Sequence, residues 1–159
     1  MHGQAGTNIY TFGKAHDQHD YHLPLICELN TKIRNDGVTF CDLPPGNSGF
    51  VRVALEQASA AAVVTKPNRG WQRDVEIMTG MLSEMGIPYG VIVNKIKNEE
   101  SFVHEVENYC SRQNISLLGK VPSDQLLERE FSFVDSINGD DLKSIFAGIL
   151  KQTMELVND

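Results

Sequence analysis

Apolar residues follow two alternating rhythms along the chain. Two short unbroken runs read as strands: Ala61-Ala62-Val63-Val64-Thr65 is compact and apolar, and Gly90-Val91-Ile92-Val93 is as apolar as a strand buried on both faces. Between them, Val75, Met78, Met81, Leu82 and Met85 recur at helical spacing up to Gly86, and Phe102, Val106 and Tyr109 do the same further on. Leu25, Ile26, Leu29 and Ile33 predict a helix over 24–34 with Pro24 near its first turn, and another helix is expected over 49–57. A last helix over 140–157 should turn Leu142, Ile145, Phe146, Ile149, Leu150 and Met154 inward. Further strands are expected at 8–12, where apolar and polar residues alternate, at Val38-Thr39-Phe40-Cys41 and at 115–118. Such alternation predicts an α/β fold of three layers, with a mainly parallel sheet between helices. With no internal repeat or low-complexity stretch, the chain reads as one domain: an irregular segment over 1–23 holding a short strand, then an α/β core over 24–159.

Composition changes this picture little. The 159 residues suffice for a real core, and 41% of them are hydrophobic. A net charge of −7 argues against nucleic acid or an anionic membrane as partner, since both are bound through clustered Lys and Arg. Cys27, Cys41 and Cys110 show no metal-type spacing, which suggests a reducing compartment with each thiol acting as a small hydrophobe. With no span of membrane length and no signal-like N-terminus, a cytoplasmic location is the expectation.

Ligands of open parallel sheets bind at the carboxyl ends of the strands. The polar residues and prolines collect at those ends: Asp42-Leu43-Pro44-Pro45-Gly46, Thr65-Lys66-Pro67-Asn68, Asn94-Lys95 and Lys120-Val121-Pro122-Ser123-Asp124. These four segments make a rim.

The same segments resemble the MinD/ParA superfamily of P-loop ATPases. Cys41-Asp42-Leu43-Pro44-Pro45-Gly46 looks like its D-x-P-P-G signature, and Val63-Val64-Thr65-Lys66-Pro67 is similar to its V-T-E-P strand end. Gly86-Ile87-Pro88-Tyr89-Gly90-Val91-Ile92-Val93-Asn94 is close to G-I-P-x-G-V-V-I-N, and Leu117-Leu118-Gly119-Lys120-Val121-Pro122-Ser123-Asp124 to I-L-G-x-I-P-x-D. The branch with an inserted ferredoxin-like iron–sulfur module is the most similar, and the resemblance runs over about residues 9–157. It implies a P-loop NTPase (Rossmann-like) fold. Asp42 would match the Walker B or switch II aspartate, holding Mg²⁺ through water; Gly46 would free the following loop to approach a γ-phosphate. Asn94 would recognise adenine, and Pro122, Ser123 and Asp124 would line the base.

Departures from the family pattern carry equal weight. The phosphate-binding G-K-G-G-x-G-K-S/T loop has no match, and Gly3-Gln4-Ala5-Gly6-Thr7 has no Lys. The CxxC runs of the iron–sulfur module are absent, so no cluster is expected, and Lys66 stands where the family usually has Glu. P-loop amides and the P-loop Lys supply most phosphate binding. The expectation is therefore a truncated ATPase-type domain with no independent ATPase activity. Mg²⁺ and ATP or ADP would bind only if a homo-oligomer or a partner chain completed the site. The alternative is a non-catalytic protein-interaction module on a degenerate ATPase fold.

Three other features have plainer readings. His16, His19 and His22 could gather a transition metal, but their polar surroundings favour a solvated loop. Trp71 could stack on a base or a partner, or close the edge of a core. Met78, Met81 and Met85 read as core packing.

Overall fold

The computed structural model describes residues 2–5, 8–11, 22–33, 36–123 and 140–158. They fall into two compact units, 1–58 and 59–159, each described by itself.

The first unit opens with an antiparallel hairpin of β1 (His2–Ala5) and β2 (Asn8–Thr11), with His2 opposite Thr11 and Ala5 opposite Asn8. The alternating residues after Asn8 form the expected strand, and Gly3-Gln4-Ala5 lies in its pairing partner. Helix α1 (His22–Asn30) packs against α2 (Gly49–Leu55), and the Asn30 Nδ2 group donates to the Val53 carbonyl at 2.9 Å. In α2, Val51, Ala54 and Leu55 are buried.

The segment between these helices departs from expectation. Val38-Thr39-Phe40-Cys41 forms no strand, and Phe40 is 78% exposed. A strand is held by a ladder partner and by cover on at least one face. Among the described residues this segment has no ladder partner, so β-branched and aromatic composition alone does not make it one.

The second unit is built on three parallel strands, β3 (Ala61–Thr65), β4 (Tyr89–Ile96) and β5 (Ser116–Pro122), in that spatial order. Ala61 pairs with Tyr89 and Thr65 with Val93, while β5 runs from Gly90 opposite Ser116 to Ile96 opposite Pro122 through two register shifts. The crossovers are α3 (Trp71–Met85) and α4 (Glu100–Gln113). Gly86, at φ 67°, ends α3: its N–H reaches the Leu82 and Ser83 carbonyls, and the Ile87 N–H returns to Leu82. Val63, Thr65, Val91 and Val93 form one buried face. Helix α3 packs on β3 and α4 on β4 and β5, and the two helices meet where Trp71 stands edge-on to Phe102 and Tyr109, at 5.6 and 5.5 Å between ring centroids.

The closing helix, α5 (Asp140–Glu155), packs on β5. Adjacent residues of β5 show which side it takes. Lys120 pairs with Glu107 of α4, whereas a Cβ on Gly119 would run into Ile149 of α5. Successive strand residues point to opposite faces, so α4 and α5 sandwich the sheet. The expected three-layer α/β architecture is thus present. One detail differs: Leu142 is buried, but Phe146, Leu150 and Met154, expected inside, are exposed. A helix lying over a single strand covers one narrow stripe, and these three residues sit beside that stripe.

Candidate functional site

The carboxyl ends of β4 and β5 lie side by side, which brings Asn94 to the same end of the unit as Pro122 and Ser123. Val93 is level with Lys120 and Ile96 with Pro122, and the Ser123 N–H donates to the Ile96 carbonyl at 2.7 Å. Asn94 is half-buried, and its Oδ1 accepts the Lys95 N–H at 2.8 Å. That short-range bond accompanies a left-handed backbone at Lys95, φ 59°, a conformation few non-glycine residues adopt. The sequence carried no sign of this turn, because neither Gly nor Asn occupies the left-handed position. With its oxygen engaged, Asn94 keeps an amide NH₂ that has no partner among the described residues.

Lys66 and Lys95 stand exposed at the ends of β3 and β4. Asn68 shapes the loop after β3: its Oδ1 accepts the Gly70 N–H at 2.7 Å and its Nδ2 donates to the Lys66 carbonyl at 3.2 Å. The loop then enters α3, whose N-cap is Gly70.

Asp42 and Gly46 belong to the first unit. Asp42 is exposed in the irregular stretch that follows Val38–Cys41, and Gly46 adopts φ 102°, a conformation that favours glycine. Asp124, and His16 and His19 of the histidine cluster, lie outside the described residues. Among the described residues, no group of three His, Cys, Asp or Glu side chains converges on a metal position. No helix among them is long and apolar enough to cross a membrane.

No family model matches the chain, and no curated protein matches it. Among solved structures it resembles the MinD cell division protein of Aquifex aeolicus, at 22% identity and a TM-score of 0.50, over 69% of this chain and 49% of that one. The chain therefore spans about half the length of that protein. The likeness shows the fold: an α/β, parallel-sheet architecture of the Rossmann-like, P-loop NTPase kind.

Proposed function

We propose that this chain is a MinD/ParA-like nucleotide-binding domain without a phosphate-binding loop of its own, and that it acts in an oligomer or with a partner chain. The observation that supports it most is the grouping of Asn94 with Pro122 and Ser123 at adjacent strand ends of a MinD-like sheet. Asn94 fits the base: its free NH₂ can donate to a ring nitrogen while Lys95 holds the side chain in orientation. Asp124 would close the same turn. Asp42 would hold Mg²⁺ through water, and Gly46 would let its loop approach the γ-phosphate. A single exposed carboxylate is too few oxygen ligands for Mg²⁺, which keeps its waters and leans on substrate phosphates. On this reading Mg²⁺ and ATP or ADP bind fully only when a second chain brings phosphate contacts. The working compartment would be the cytoplasm.

The test is an amide-resolved titration of the labelled chain with adenosine and, separately, with Mg²⁺-ATP. Both should shift Asn94 and Ser123 at millimolar concentration with similar affinity, and Asn94→Ala should abolish the response. ATP binding much tighter than adenosine would place phosphate contacts within this chain and overturn the partner requirement. No shift at Asn94 with either ligand would sink the nucleotide reading.

A second reading, a non-catalytic interaction module, draws on the exposure of Phe40 beside Asp42. An aromatic ring left in water suits a protein contact better than a metal centre. Partner binding unchanged in Asp42→Ala, with no hydrolysis in the assembled state, would favour it.

A further inference from the structure

The second unit holds a groove of about 510 Å³ between the start of α3 and the outer side of α4. Its floor is the Trp71 and Tyr109 ring pair, both buried, and its walls carry Gln72, Glu105, Asn108 and Arg112. Trp71 is only 8% exposed, yet its indole N–H donates to nothing among the described residues. Among the described residues no side-chain nitrogen or oxygen sealed from solvent lacks a partner, so this N–H is open to solvent, and Trp71 lines the groove. A buried ring with an open donor is an unspent hydrogen bond.

The walls add charge in a fixed pattern. Glu105 and Arg112 are seven residues apart on α4, two helical turns, or about 10 Å along its axis. The Arg112 Nε donates to the Asn108 carbonyl at 3.3 Å, which anchors the guanidinium root and leaves its terminal nitrogens without a partner among the described residues. The Gln72 NH₂ is held by Glu76 at 2.8 Å, leaving the Gln72 oxygen as acceptor. The groove thus offers a carboxylate at one end, a guanidinium at the other, and an N–H donor and amide acceptors between.

We infer that this groove binds a segment of a partner polypeptide in the polyproline II conformation, carrying a basic and an acidic side chain three residues apart. Polyproline II has three residues per turn and rises about 3.1 Å per residue, so side chains three apart leave the same side of the chain and span about 9 Å, close to the spacing of the two charges on α4. The cation meets Glu105, the carboxylate meets Arg112 in a charge-assisted contact, and a main-chain carbonyl between them accepts the Trp71 N–H. The inference is independent of the nucleotide reading, since none of these residues lies at a strand end.

The chain's single tryptophan gives the measurement. Capped Lys-Ala-Ala-Glu, Glu-Ala-Ala-Lys and Gln-Ala-Ala-Gln peptides are titrated into the full chain while the lone indole N–H resonance is followed. One of the two charged orders should shift it saturably, with the uncharged peptide about tenfold weaker. The double variant E105K/R112E, changed only at exposed positions, should exchange the preferred charge order. An indole signal unmoved at millimolar peptide, an equal response to the uncharged peptide, or an unchanged preference in the double variant would each overturn the assignment.

Discussion

Gly90 of β4 and Leu118 of β5 share space for only one side chain: a Cβ on Gly90 would stand 2.6 Å from the Leu118 Cγ and 2.7 Å from the Ser116 carbonyl oxygen. Leu118 is fully buried, so the glycine is what lets it fill the sheet interior. Gly90→Ala should therefore destabilise the unit by about 1–3 kcal/mol, the usual cost of overpacking. Gly80, inside α3 with nothing near its missing Cβ, should behave oppositely, Gly80→Ala stabilising by about 0.5–1 kcal/mol. Urea denaturation of both variants checks the pair of signs.

Glu107 is held below the usual carboxylate range, chiefly by the hydrogen bond from the Lys120 Nζ at 2.6 Å, with His104 a further neighbour at 3.6 Å. A carboxyl lowered on folding contributes stability that is complete above its unfolded value and fades as pH falls through the lowered one. The contribution is small, because both groups face solvent. Carbon-detected titration should show Glu107 among the last glutamates to protonate as acid is added. Lys120→Met should return it toward its neighbours; an unchanged midpoint would remove the ion pair as the cause.

Burial pushes the thiols of both Cys110 and Cys41 up, but only Cys110, in α4, is closed to reagent; Cys41, like Cys27, is exposed. An aromatic disulfide reagent at neutral pH should label two thiols of the folded chain promptly and the third only with denaturant. Peptide mapping should identify the slow one as Cys110.

Left-handed Lys95 and its neighbour make another opposed pair. Lys95→Gly should be neutral or stabilising by up to about 1 kcal/mol, since glycine adopts that conformation freely. Asn94→Ala, which removes the bond to the Lys95 N–H, should cost about 1 kcal/mol. Thermal unfolding of the two variants is the check: the midpoint should fall for Asn94→Ala and should not fall for Lys95→Gly.

The second unit was largely legible in the sequence. The apolar run at 61–65 is β3 to the residue, and the helical spacing of Val75, Leu82, Phe102 and Val106 marks positions that are all buried. Those signals are local. What failed to show depends on distant partners: Val38–Cys41 has strand composition without a ladder partner among the described residues, and the partnership of His2–Ala5 with β2 left no strong pattern. The apolar residues of α5 are visible in the sequence, but it does not say which stripe meets β5, so Phe146, Leu150 and Met154, expected inside, lie exposed. At the strand ends the sequence puts Asn94, Pro122 and Ser123 on one rim, yet carries no sign of the Lys95 turn. Trp71 proved to close a core edge while keeping its N–H open, a pairing no spacing rule encodes.

The Ala61 N–H bonds to the Pro88 carbonyl, which fixes the orientation of every amide along β3. In a parallel ladder alternate residues bond to opposite sides, so Val63 and Thr65 also turn their N–H groups toward β4, while Ala62 and Val64 turn theirs toward an edge with no strand among the described residues. Solvent deuterium should therefore enter this one strand in a strict alternation, fast at Ala62 and Val64 and slow at Val63 and Thr65. The two fast amides form a clock: whatever chain comes to lie against that edge will be detected first as their slowing.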